Sequence, residues 1–229
     1  MSRFAVSFLL LAFLTCKSLC GQEGNEDFQK TISIRTNPLS ILELDGGIML
    51  GVNYQWSERF SVTADPMFIF TSLYRTSSGN SKLHPTGIKL RLDARYHFKH
   101  FLFNLSEVFI APEFHYKHVN TKKWDNFGIN CIGLQCNYYQ YARYNEIKDE
   151  MGGSLKMGFL VPLGKDNWHW GMEFYAGLGV KVSKFKDTDL PVGGSFLNPP
   201  IHEELFGFRD DQIVSPLFPA SVKIIYRLK

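Results

Sequence analysis

From Ile88 to Phe98 the chain reads Ile88, Lys89, Leu90, Arg91, Leu92, Asp93, Ala94, Arg95, Tyr96, His97, Phe98, so every second residue is apolar and every residue between is charged or titratable. Successive side chains of a strand point to opposite faces, and this period therefore predicts a strand with one oily and one ionic face. A helix would scatter the two sets around its circumference. The stretch is long as well: at roughly 3.3 Å per residue and a tilt of roughly 40° it climbs about 25 Å, the height of an outer-membrane apolar band. Strands of soluble proteins are usually nearer five or six residues, at about 17–20 Å.

The same alternation recurs along the chain. A first strand is expected from Thr31 to about Leu42, followed by a tight turn at Asp45-Gly46-Gly47. The second puts Ile48, Leu50, Val52, Tyr54 and Trp56 on one face. The third sets Phe60, Val62, Ala64, Phe68 and Phe70 against Ser61, Thr63 and Asp65. The opening stretch is the fourth. The fifth, from about Glu107 to Val119, sets Val108, Ile110, Phe114 and Tyr116 against Glu113, His115 and Lys117. The sixth is clear only from Ser154 to Val161, where Leu155, Met157, Phe159 and Val161 alternate with Ser154, Lys156 and Gly158. The seventh sends Trp168, Trp170, Met172, Phe174, Ala176, Leu178 and Val180 one way and His169, Gly171, Glu173, Tyr175, Gly177, Gly179 and Lys181 the other. The last opposes Ala220, Val222, Ile224, Tyr226 and Leu228 to Ser221, Lys223 and Arg227.

These segments make an all-β chain: an eight-stranded antiparallel up-and-down transmembrane β-barrel over residues 31–229, with no helical layer. Connections after the third, fifth and seventh strands are long, and those after the second, fourth and sixth are short. That is the arrangement of extracellular loops and periplasmic turns in a bacterial barrel. The brief first connection departs from it. The segments 120–141 and 187–211 are too long for simple connectors.

Composition adds a second signal. Aromatic residues make up 15% of the chain, with twenty Phe and ten Tyr. Trp56, Tyr96, Phe98, Trp168, Trp170 and Tyr226 fall at strand ends beside the short turns or the terminus, and Phe70, Tyr74 and Tyr116 at the opposite ends. This is the pattern of a double aromatic girdle at two lipid–water boundaries. A net charge of +3 gives no reason to expect a nucleic-acid partner.

Residues 1–20 read as a signal peptide: Arg3, an apolar run from Phe4 to Leu14, and small residues at Ser18 and Cys20. The run is too short to span a bilayer as a helix. Residues 21–30 form a polar periplasmic lead-in. Export implies an oxidising compartment, where Cys131 and Cys136 are candidates for a disulfide within a loop, with free thiols as the alternative. A metal site would need further Cys or His nearby, and none lies within the same segment.

The signal, the eight-strand meander, the Ile88–Phe98 pattern and the closing stretch from Ser221 to Lys229 together resemble the small outer-membrane β-barrel proteins of Gram-negative bacteria. The resemblance covers the mature chain and is one of pattern, with no unique motif. It implies the cell outer membrane as location, and outer-membrane lipid and the barrel-assembly machinery as partners. That machinery usually reads a terminal aromatic; here Tyr226 is near the end, but Lys229 is last.

The residues predicted to face the lumen include Arg35, Asp65, Lys89, Arg91, Asp93, Arg95, His97, Glu113, His115, Lys117, Lys156, Glu173, Tyr175, Lys181, Lys223 and Arg227. An eight-stranded ring is only wide enough inside for its own side chains, and unpaired buried charges are very costly. These groups are therefore expected to form a salt-bridge plug, with Asp93 and Glu113 drawing partners from Arg91, Arg95 and Lys117. The chain carries no Gly-x-Ser-x-Gly nucleophile motif, phosphate loop, zinc spacing or calcium loop. The expected role is non-enzymatic, structural or surface-interacting, without cofactor or metal. An extracellular ligand or partner would meet loops 120–141 and 187–211. A narrow pore for small solutes and a soluble periplasmic binding barrel remain as alternatives.

Overall fold

The computed structural model describes residues 30–43, 45–72, 84–98, 107–131, 135–164, 169–196 and 212–228. The expected signal segment, nearly all of the lead-in, Tyr74, Trp168 and the whole of 197–211 lie outside the described residues. The described chain is all-β: β1 Thr31–Thr36, β2 Asp45–Gln55, β3 Phe60–Ser72, β4 His84–Phe98, β5 Glu107–Ile129, β6 Tyr138–Leu163, β7 Trp170–Thr188, β8 Gly194–Phe196, β9 Gln212–Leu217 and β10 Ala220–Leu228.

Every pairing is antiparallel, and β1 to β7 pair in sequence order. β10 then pairs with both β7 and β1, which closes the sheet into a ring. Closure pairs β1 and β10 on both sides, so that neither presents the exposed edge an open sheet would carry there.

Among the described residues there are ten strands where eight were expected. One addition comes from a break in the last one. Pro219 has no backbone N–H to give to a ladder, and the pairing lapses at Phe218-Pro219. Leu217 lies opposite Gly179 and Ala220 opposite Ala176, so β9 and β10 keep one register along β7. The other addition, β8, is off the ring and pairs with the tip of β5.

Three boundaries also differ from the sequence reading. β1 stops at Thr36, and a 3-10 turn follows over Pro38–Leu42, with the Asn37 side chain accepting from the Leu39 N–H. Proline near a strand end favours such a break. Asp45, Gly46 and Gly47 are not a turn but the first residues of β2, because the 3-10 turn already reverses the chain. The segment 120–141 is mostly strand: β5 continues to Ile129, β6 begins at Tyr138, and the two pair without interruption from Glu107–Leu160 to Ile129–Tyr138. The contrast in loop length is therefore weaker than expected. What distinguishes the two ends is strand length, since the β5–β6 hairpin rises well past its neighbours. Its tip is covered by β8 and packed around Phe127, Ile129 and Tyr144.

Call the edge holding Thr31 and Leu228 the lower rim. Small residues on the inner wall make room for long charged ones: a β-carbon at Gly51 would overlap the Asp65 carboxylate, and one at Gly177 would crowd Lys156. A β-carbon at Gly158 would meet the Phe174 carbonyl and the Phe109 ring, and the carbonyl is held in the β6–β7 ladder. Gly158→Val should lower the unfolding free energy by about 1–3 kcal/mol. A urea midpoint equal to that of the wild type would show that the inner wall has room to spare there.

Candidate functional site

The strand period sorts the two faces as the sequence pattern requires. Outward stand Ile48, Leu50, Val52, Phe68, Ile88, Leu92, Leu155, Met157, Leu178 and Val180; Phe68 and Leu178 are each 66% exposed. Inward stand the charged residues of the same strands, and most of these are buried.

The deepest group contains four cations and four carboxylates: Arg35, Arg95, Lys156 and Lys223 with Asp65, Asp93, Glu113 and Glu173. Glu173 of β7 is wholly buried and takes a hydrogen bond from Arg35 of β1. Arg95 of β4 grips the same carboxylate with both terminal nitrogens, at 2.6 and 3.1 Å. Such two-pronged arginine contacts are strong and directional. Asp93 and Glu113 lie directly opposite one another on β4 and β5. Like charges so placed repel, and Lys156 of β6 stands between them, 2.5 Å from Asp93 and 2.7 Å from Glu113. Lys223 of β10 pairs with Asp65 of β3. The Tyr175 ring lies 4.8 Å from both lysine ammonium groups, and Phe109 lies 4.2 Å beneath the Arg95 guanidinium.

A second group sits nearer the upper rim. Lys89 pairs with Glu43, and Arg91 stands 3.6 Å from the same carboxylate while donating to the Tyr175 hydroxyl at 2.8 Å. Lys117 pairs with Asp45 and lies 3.5 Å from Glu150; Lys148 and Lys181 meet Glu150 at 2.8 and 3.0 Å. Glu43 belongs to the connection after β1. Burial raises its carboxyl pKa, but Lys89 and Arg91 lower it further, so the group stays below the ordinary carboxylate value. At the lower rim Arg227 stands 3.5 Å from Glu107.

The expected lumen residues are therefore brought together, with one correction of partners. Arg95 does pair with Asp93, but Arg91 and Lys117 turn upward to Glu43, Asp45 and Glu150. Lys156 serves Asp93 and Glu113 in their place. Glu43, Asp45, Lys148 and Glu150 were not foreseen. The signal for the last two was present, because Tyr144, Glu146, Lys148 and Glu150 continue the inward phase of Ser154 and Lys156. His115 faces inward beside Arg91, with no hydrogen bond to its Nε2 among the described residues.

The aromatic set also assembles. Tyr54, Trp56, Phe60, Tyr96 and Phe98 form a continuous run of ring contacts 4.9–6.4 Å apart along the lower rim, and Trp170 meets Tyr226 at 4.9 Å. At the upper end a disulfide joins Cys131 and Cys136 beyond the last β5–β6 pair.

One arrangement looks chemical. Ser61 Oγ lies 2.8 Å from His97 Nε2, and Glu107 stands 3.9 Å from His97 Nδ1. Ser61 has no exposed surface, so no acyl group can reach its hydroxyl in this geometry, and nucleophilic catalysis requires that reach. The adjoining cavity, about 20 Å³ and lined by His97, Glu107, Arg35 and Asn53 among others, has room for one or two waters. No group of three or more His, Cys, Asp or Glu among the described residues is arranged to hold a metal ion.

Residues 7–193 match a family model described as "Protein of unknown function (DUF3575)". The chain belongs to that family. The matched span holds every member of the two ionic groups except Lys223, which the last strand supplies. No curated protein and no solved structure matches the chain. The family description names no activity, so any function has to be argued from the residues.

Removing Glu173 takes a carboxylate partner from two buried guanidinium groups, those of Arg35 and Arg95. Glu173→Ala should cost about 3–5 kcal/mol of stability. Glu107→Ala, which removes a 31%-exposed partner of Arg227, should cost about 1 kcal/mol or less. Equal losses in denaturant unfolding would sink the distinction between a buried network and rim pairs. The Glu43 contact has a pH signature. A carboxyl whose pKa is lowered by folding stabilises the native state above its unfolded value and stops doing so as the pH falls through the folded one. The connection over 37–43 should therefore resist proteolysis at neutral pH and open only below the ordinary value of 4.5.

Proposed function

We propose that this chain is an exported outer-membrane protein: an eight-staved transmembrane β-barrel whose filled, ionic lumen makes it a structural or surface-interaction protein. In this reading the broken last strand counts as one stave and β8 belongs to the surface-exposed tip. The observation that carries the reading is the inversion of faces around the ring. Soluble domains rarely leave large contiguous apolar surfaces in water. Here apolar side chains cover the outside while charged pairs fill the inside. No helix among the described residues is long and apolar enough to cross a membrane, a statement that does not bear on strands. A closed ring leaves no unpaired sheet edge, which is what allows strands to cross hydrocarbon at all. The lower aromatic run then lies at the periplasmic boundary, and the β5–β6 tip extends outward with Trp124, Tyr138, Tyr139 and Tyr141 exposed.

A soluble binding barrel would need its oily faces turned inward around a ligand, the reverse of this arrangement. A pore would need open width, whereas among the described residues the inner wall carries paired ions and a cavity of about 20 Å³ with room for one or two waters. Both alternatives are therefore less well supported than a plugged barrel.

Fractionation with the outer membrane, together with a gel mobility that changes on boiling, is the expected behaviour; recovery as a soluble periplasmic protein would overturn the proposal. Leu92→Lys, at a 41%-exposed outward position in the middle of β4, should cost about 2–4 kcal/mol in a lipid-vesicle folding assay. In planar bilayers the wild type should give no steady conductance.

A further inference from the structure

The outer face of β5, β6 and β7 changes character above the apolar wall. Below stand Phe114, Met151, Leu178 and Val180. Continuing upward in the same outward phase come Lys122 on β5, Arg143 on β6, and Lys184 and Lys186 on β7, all four exposed. None of them enters an ion pair among the described residues, whereas the inward cations of the same strands are paired. The carboxylates on this face are already engaged: Asp149, opposite Lys184, lies 2.6 Å from His118 Nδ1, and Asp189 accepts a hydrogen bond from Asn145. The cations fall into two couples. Lys184 and Lys186 are alternate residues of one strand. Arg143 is two residues from Asn145, the cross-strand partner of Lys122. Neighbours of either kind on one sheet face lie about 7–8 Å apart, so that a single phosphate can be reached by both members.

Resting on the membrane-spanning reading above, we infer that this patch binds anionic, phosphate-bearing lipid headgroups of the surrounding outer leaflet. Two observations select that occupant. The patch continues the lipid-facing wall of the same three strands, so its height is that of the headgroup layer. Its four cations outnumber the two carboxylates on the same face, Asp149 and Asp189, and basic residues beside a membrane surface each contribute about 1 kcal/mol of attraction to anionic lipid. A buried protein–protein interface would call instead for an apolar centre with a polar rim. Here the apolar wall lies below the cations and the exposed rings of Trp124 and Tyr141 lie beside and above Arg143, so the cations stand in a border and not around an apolar centre.

The test uses the full chain folded into vesicles of phosphatidylcholine with a minor share of phosphatidylglycerol, then extracted in mild detergent so that retained lipid can be counted by native mass spectrometry. The wild type should retain phosphatidylglycerol over phosphatidylcholine, and added salt should weaken that preference. The variants K184Q/K186Q and K122Q/R143Q should each lose about tenfold or more of the preference while keeping the boiling-dependent mobility of a folded barrel. Neutral glutamines on exposed positions keep the barrel foldable, so the comparison does not depend on charge reversal. Equal retention of both lipids by the wild type, or unchanged preference in both variants, would overturn the inference and leave the membrane reading standing. Failure of the wild type to insert into vesicles would instead overturn the membrane reading on which it rests.

Discussion

Glu173 is the constraint around which the interior is arranged. A carboxylate with no exposed surface is tolerable only when cations are fixed around it, because each ion removed from water carries a penalty of several kcal/mol after relaxation. Its partners come from β1 and β4, with Lys223 of β10 at 4.0 Å. The contact therefore ties together strands that are distant in sequence and fixes which side of each strand faces inward. A slip of one residue in any of these strands would move its cation into the outer wall and an oily side chain into the ionic group. Hydrophobic burial sets register in most sheets; in this ring, charge pairing has much of that role.

The interior is also balanced. Its deepest level carries equal numbers of positive and negative groups, and the bridging position of Lys156 explains how Asp93 and Glu113 can face each other across two strands. The upper level is looser and draws Glu43 from outside the strands. The gradient runs from a closed, neutral centre to a mouth where a connection is held down by charge.

The faces of β2 to β5, β7 and β10 were legible because alternation is a local property, and each strand carries enough of it to be read alone. Asp65, Asp93, Glu113, Glu173 and Lys223 stand on the inward face that this alternation suggests. Their partners were not legible. Neighbouring strands suggested Arg91 and Lys117 for Asp93 and Glu113, but a ring brings in a third strand, and Lys156 outcompeted both. The extension of β5 and β6 was hidden by composition: Asn120 to Tyr141 is polar and aromatic on both faces because it stands above the apolar level, and so lacks the oily alternation that marks a strand. The 3-10 turn at Pro38–Leu42 was masked by Ile41 and Leu42, which look like strand residues until Asn37 and Pro38 are given their capping role.

The pairing of Ile32 with Leu228 has a consequence for how the molecule is made. Contacts between the ends of the ring, like the Lys223–Asp65 contact 158 residues apart, yield nothing until nearly the whole described chain is in place, and loop closure on that scale is paid for in entropy before it is rewarded. The first strands therefore have no finished partner while the last is missing, and the central carboxylates have no complete set of cations. Closure and charge neutralisation are one event. The order of synthesis cannot be the order of folding, and a chain awaiting Ala220–Leu228 must be kept from pairing its open edges with another copy.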